Sequence, residues 1–425
     1  MVELKIGVFA DTHVGRKIPI EIGELRRLAY RHAFTQSINI FIEEGVDYII
    51  HAGDLFEKRS MTSEDSVFVK EEFQRLVNSI KEKHGKDVSI FIVRGNHDGS
   101  FDNNAIDFVK HPLAKYLKVV GESLMRGEEE FYTDGRIILA GLPYHPHISR
   151  IFNDVKPLIG EMFRARELPK VFLLHNFIQG YHDVPPGTPP HNFLNMSDFK
   201  GLNVDIVIAG HYHMKTKPVE EDGIIFLTPG ATEAIDLSDE GPFGVYIFET
   251  GSMPRFIQIK PLHEIRNSKV DSMGAVKPRE WYVDNALKEA NAYYSYLKEK
   301  GIDGILRIVI SGYLEERDPS TIDFALKKEF SKLVGQTGLL HVDLVNRVEE
   351  VPQKIAFPKM GTSLDYVATV LKPLGEDIDE AMSLVEEISI VLEEKASQKT
   401  GLLTGLDRSR YVKRWLEIFE KVKIK

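Results

Sequence analysis

The sequence predicts an α/β fold organised around a mainly parallel sheet, and three observations carry that prediction. Short apolar runs alternate with stretches of helical spacing over the first hundred residues. Those runs stop at short polar segments rich in Asp, Asn and His. Beyond residue 213 the pattern turns to short strands and turns.

Residues 4–10 read as the first buried strand. Residues 24–44 place Leu25, Leu28, Ala29, Ala33, Ile38, Phe41 and Ile42 at helical spacing. A second strand spans 46–51. A second helix spans 63–83, with Val67, Phe68, Phe73, Leu76, Val77 and Ile80 on its apolar side. The strand 88–93 runs into Gly95-Asn96-His97-Asp98. Further on, the pattern gives helices at 103–110 and 148–166 and strands at 136–142, 171–174 and 204–209. Strands at 216–219, 224–227, 244–248 and 255–259 read as a separate, largely antiparallel sheet. Residues 267–278 read as a linker. A small α+β unit follows, with helices 280–300 and 321–334 and strands 305–311 and 339–345. Residues 347–362 read as a loop before two helices, 377–395 and 408–423.

At 425 residues the chain implies two or three domains, and its 43% apolar content is normal for a protein with a core. No run of about 18 apolar residues occurs, so no membrane span is expected. Residues 1–5 lack the regions of a signal peptide, which makes the cytoplasm the expected location. Cysteine is absent, so any metal must be held by His, Asp, Glu or Asn. The net charge of −10 argues against a globally basic nucleic-acid binder. Bound divalent cations would still supply positive charge where phosphates sit.

Five segments each follow an apolar strand: Asp11-Thr12-His13, Gly53-Asp54, Asn96-His97-Asp98, His175 and His211-Tyr212-His213. The carboxyl ends of parallel strands converge on one crevice, so these segments can meet. Carboxylates with imidazoles suit two borderline divalent ions such as manganese, iron or zinc. One carboxylate can bridge such ions about 3.5–4 Å apart. Asp11 and His13, two apart, point the same way if the backbone is extended. His211 and His213 can share an ion or divide between two.

Written out, these motifs resemble those of the calcineurin-like metallophosphoesterase superfamily. The local sequences Ala10-Asp11-Thr12-His13-Val14-Gly15, Ala52-Gly53-Asp54-Leu55-Phe56 and Thr228-Pro229-Gly230-Ala231-Thr232-Glu233 resemble the SbcD-type nucleases, partners of SbcC-type ATPases in double-strand-break repair. The resemblance covers residues 1–260. It implies a sandwich of two mixed sheets flanked by helices, with a capping domain and C-terminal helices. It also implies Asp11, His13 and His213 on one ion, Asn96, His175 and His211 on the other, and Asp54 bridging them. His97 would act on the scissile phosphate or leaving group, with Asp98 orienting it. That family often carries a histidine shortly after the bridging aspartate, where this chain has Glu57, either a substitute contact or the mark of a diverged paralogue with different substrate handling.

The expected division is a phosphoesterase domain at 1–265, a DNA-binding cap at 279–346 and C-terminal helices at 363–425. Two manganese ions, DNA, an SbcC-type coiled-coil ATPase docked on the C-terminal helices and a homodimer are the implied cofactors and partners. The tail carries two apolar stripes: Ile378, Ala381, Val385, Ile388 and Leu392, then Tyr411, Trp415, Ile418, Phe419 and Val422. They suit either a coiled-coil partner or packing onto the body. Tyr293, Tyr294 and Tyr296 beside Lys288, Lys298 and Lys300 suit either a DNA grip or packing on the adjacent sheet. Arg16 and Lys17 suit phosphate contact or solvent. His145, His147, His182 and His191 read as solvated loop histidines. The competing reading is a phosphoesterase for nucleotides, cyclic nucleotides or phosphoproteins.

Overall fold

Alternation along the strands sorts side chains into three layers of core. Tyr48 and Ile50 face one way and Ile49 the other; Phe91 and Val93 oppose Ile90 and Ile92 in the same fashion. The computed structural model describes residues 4–164, 167–335, 338–351, 381, 383–388, 391 and 409–417.

The first sheet has the order Arg255–Gln258, Gly244–Glu249, Lys5–Phe9, Tyr48–His51, Ser89–Val93, Leu117–Val120. Its last four strands are parallel and the other two join antiparallel. The second sheet runs Val219–Glu221, Ile224–Leu227, Ile206–Ala209, Lys170–Leu174, Ile138–Leu142, Tyr132–Thr133. Its four central strands are parallel. Ile6, Val8, Phe91, Leu139, Leu173 and Ile208 fill the space between the sheets. Helices Gly23–Glu44 and Ser63–His84 cover the outer face of the first sheet, and Ile148–Arg164 that of the second. The fold is a sandwich of two mixed sheets flanked by helices, as expected.

The apolar sides of Gly23–Glu44 and Ser63–His84 pack on the sheet through Phe34, Ile38, Phe41, Phe73 and Leu76. Leu28 and Val67, expected on those sides, are exposed. Thr62 caps the second helix by accepting from the Asp65 amide at 3.1 Å.

Three expectations are corrected. The strands of residues 216–259 form no sheet of their own: Gly244–Glu249 and Arg255–Gln258 extend the first sheet, while Val219–Glu221 and Ile224–Leu227 extend the second. Residues 267–278 are no linker. Glu264–Lys277 is a strand that pairs in parallel with Gly304–Leu314, which pairs in parallel with Leu339–Glu350. Residues 103–110 hold the short strand Asn103–Asn104 and only one helical turn, Asp107–Lys110.

Helices Arg279–Lys300 and Ser320–Leu333 cover this third sheet through Tyr282, Tyr293, Leu297, Ile322 and Leu326. Tyr293 is buried and donates to the Glu264 carbonyl at 3.0 Å, so packing on the sheet accounts for it. Ile22, Leu237 and Ile305 seat the third sheet against the sandwich.

Contacts divide the chain into Met1–Glu350 and Val351–Lys425. In the second unit the described residues 381, 383–388, 391 and 409–417 are helical. Glu387 bridges its two helical stretches, accepting from Arg410 at 3.0 Å and from Arg414 at 2.5 Å. Ile378, Leu392, Ile418, Phe419 and Val422 lie outside the described residues. No described helix is long and apolar enough to cross a membrane.

Candidate metal centre

All the predicted segments meet at the carboxyl ends of their strands. The first sheet brings Asp11, His13, Asp54, Asn96 and His97; the second brings His175, His211 and His213. Their backbone is not extended, so the condition under which Asp11 and His13 would point the same way is not met. Asp11, His13, Asp54 and His211 have φ of 48°, 40°, 54° and 76°. Left-handed turns, uncommon for residues with a Cβ, aim these side chains inward.

The motif glycines make room. A Cβ on Gly95 would lie 2.1 Å from Asp54 Oδ1, and one on Gly210 would lie 2.0 Å from the Ala52 carbonyl. Either would push apart segments that must touch.

Ring orientation follows from the hydrogen bonds at the far nitrogen. His175 Nδ1 donates to the Ala52 carbonyl at 2.6 Å, leaving Nε2 3.2 Å from Asp54 Oδ2. His13 Nδ1 donates to Glu57 Oε2 at 3.1 Å, leaving Nε2 3.7 Å from the same oxygen. His13 Nε2, His175 Nε2 and Asp54 Oδ2 are buried without hydrogen-bond partners. Burying such atoms is costly unless something binds them, and divalent cations suit this N/O set. Asp11, His13, Asp54 and His213 form one group of candidate ligands, Asp54, His175 and His211 a second, and His13, Glu57 and His97 a third. Asn96 Oδ1 lies 3.0 Å from His211 Nδ1, beside the second group. Asp54 is common to the first two, as a bridging carboxylate must be.

The electrostatics mean that a bound cation would have to displace protons held by the cluster. Burial works against ionising Asp54, but His175 and His13 hold its pKa below the ordinary carboxylate value. Burial also opposes charge on His175, yet Asp54 and Asp11 raise it to about 9. Burial pushes Asp11 up to about 8, with the Asp54 charge adding to the effect. Burial lowers His211 and His213 to about 3, so both rings are neutral and ready to donate lone pairs.

Asp98 does not orient His97. Its carboxylate accepts from the amides of Gly95 (2.9 Å), Asp54 (3.0 Å) and Phe56 (3.0 Å), pinning two motif loops together. His97 Nδ1 instead donates to the Glu57 carbonyl at 2.8 Å. Glu57 is itself buried, and its carboxylate is taken up by His13 and Arg16.

Sequence reasoning missed several supports. The Tyr144 and Phe177 rings lie 5.2 and 4.5 Å from His211. Buried His51 lies 3.0 Å from Thr12 Oγ1. Lone aromatics and a histidine inside a strand leave no pattern to read. His182 is not solvated: it is buried, 2.7 Å from Thr228 Oγ1 and stacked on Tyr212. His147 and His191 are exposed, their rings 4.6 Å apart and tilted by 33°.

The calcineurin-like phosphoesterase family profile matches residues 4–215, the span that supplies every candidate ligand. The chain carries a calcineurin-like metallophosphoesterase domain. That fold, with its candidate di-metal site, implies a metal-dependent phosphoester hydrolase. The chain is 23% identical over 300 residues to the DNA double-strand break repair protein Mre11 of Methanococcus maripaludis, covering 68% of this chain and 72% of that one. It is 25% identical over 226 residues to Mre11 of Saccharolobus solfataricus, 53% of each chain. It is also 23% identical over 323 residues to the uncharacterized metallophosphoesterase YhaO of Bacillus subtilis, 74% of this chain and 72% of that one.

Proposed function

We propose that this chain is a two-metal DNA nuclease, cutting duplex ends and single strands or hairpins in double-strand-break repair. The observation that carries the reading is His97. It stands at the lip of a di-metal cradle, half-buried, with Nδ1 engaged by a carbonyl and Nε2 left for substrate. The Mre11 relatives support DNA as the substrate.

Asp11, His13 and His213 would hold one ion and Asn96, His175 and His211 the other, with Asp54 shared between the two groups. Two divalent ions, manganese the expected pair, supply an activated water and neutralise phosphate oxygens when bound. His97 Nε2 protonates the leaving oxygen. Asp98 keeps the Asp54 and Asn96 loops in register. The cap at 279–346 contacts DNA. The C-terminal helices dock on an SbcC-type ATPase, and deleting residues 362–425 should abolish its co-purification. A homodimer built on the two outer helices must use exposed residues such as Leu28 and Val67, because their apolar sides pack on the sheet.

The net charge of −10, and Glu57 where the resembled nucleases often carry histidine, favour a second reading: a phosphoesterase for nucleotides, cyclic nucleotides or phosphoproteins. Labelled duplex and hairpin DNA with manganese, assayed beside a chromogenic phosphodiester, separate the two. Cleavage of the small ester alone would overturn the nuclease reading.

A further inference from the structure

Glu57 touches more of the site than any role in substrate contact requires. One carboxylate oxygen accepts from His13 Nδ1 at 3.1 Å, and the other from Arg16 Nη1 at 2.8 Å. Its backbone carbonyl accepts from His97 Nδ1 at 2.8 Å. Its own amide donates to the Val14 carbonyl at 3.1 Å, which fixes the loop. One residue therefore sets the ring of a candidate metal ligand and the ring of the candidate leaving-group acid. A single buried ion pair would do neither.

Arg16 extends the chain of contacts. Its Nε donates to the Ile235 carbonyl at 3.0 Å. The next residue, Asp236, accepts from Arg307 of the third sheet at 3.4 Å, and Leu237 packs on Ile305 of that sheet. The segment that seats the third sheet is thus held to the metal centre through two side chains.

We propose that Glu57 is a positioning residue for both His13 and His97, and that Arg16 ties it to the seat of the third sheet. This rests on the two-metal reading above. A carboxylate behind a ligating imidazole fixes its tautomer and strengthens it as a donor, and losing such a partner costs about 10–100-fold in metal affinity or activity. Arg16 holds the carboxylate at one position while it serves His13.

The test uses the full chain as Glu57→Gln, Glu57→Asp and Arg16→Met. Manganese binding is followed by calorimetry and cobalt loading by visible absorption, with no substrate present. Glu57→Gln should weaken one of the two manganese sites by about 10–100-fold and shift the cobalt bands. On a chromogenic phosphodiester kcat should fall while KM stays. Glu57→Asp should recover part of both, and Arg16→Met should shift the cobalt bands in the same direction, by less. Wild-type manganese binding and cobalt bands in Glu57→Gln would overturn the proposal. So would a raised KM at unchanged kcat, the mark of a substrate contact. Should Glu57→Gln not fold, unchanged cobalt bands in Arg16→Met would overturn it. Failure to cut DNA with these metal readouts intact would sink the nuclease reading alone.

Discussion

His97 is held by the backbone carbonyl of Glu57, 2.8 Å from Nδ1, and not by Asp98, the neighbour in its own motif. The ring is therefore set by the loop that follows Asp54, so the proposed leaving-group acid and the candidate bridging carboxylate share one support. Replacing the ring should leave that support whole. His97→Ala should bind metal as wild type does and lose about 100- to 10,000-fold in phosphodiester turnover. Metal analysis and turnover on one preparation check both halves, and an empty site in the variant would move His97 into the ligand set.

Asp54 belongs to two of the candidate ligand groups. Asp54→Ala should lose metal and activity together. Elemental analysis of the purified variant decides, and retention of two ions would remove the bridging role.

Gly95 is required by steric closeness alone, since its φ is not left-handed. Gly95→Ala would set a methyl 2.1 Å from Asp54 Oδ1. It should destabilise the protein by about 1–3 kcal/mol and weaken metal binding. Denaturant unfolding of the metal-free chain measures the first effect and calorimetry the second.

His175 is raised to about 9 in the metal-free protein, above its ordinary 6.5. Its pairing with Asp54 therefore adds stability fully present below the ordinary value and lost as pH climbs through about 9. A ligating imidazole must give up its proton, so metal loading near pH 7 should release protons, and the release should fade above about pH 9. Titrations in buffers of different ionisation enthalpy would show it; no buffer dependence would contradict a protonated His175.

Arg26 and Glu233 form a buried pair at 3.0 Å. Arg26→Met should cost about 3–5 kcal/mol by leaving a carboxylate buried without its partner. The loss should shrink in acid, where Glu233 is neutral. Unfolding at two pH values checks it.

The candidate ligands were legible because they sit where strands stop, and strand ends are visible as changes from apolar to polar residues. What the sequence hid was long-range. Gly244–Glu249 has one alternation whichever sheet it joins, and only pairing with Lys5–Phe9 decides. Glu264–Lys277 reads as a linker because Asn267, Ser268, Asp271 and Ser272 interrupt its apolar residues, yet its partner is a well-patterned strand. Asp98 looked like a support for His97 because they are adjacent; its true partners include amides more than 40 residues away. His182 looked solvated among prolines, and its burial comes from Tyr212 on another strand end. Left-handed φ at Asp11 and His13 has no signature, because neither residue is a glycine.

The two halves of the metal centre come from different sheets, joined there by contacts such as His175 to the Ala52 carbonyl. Ions bound between them would act as a clasp across the seam of the sandwich. The melting temperature should then track free metal, each tenfold rise above the dissociation constant adding about 1.4 kcal/mol for each ion bound. Scarcity of metal would loosen the scaffold as well as silence the chemistry.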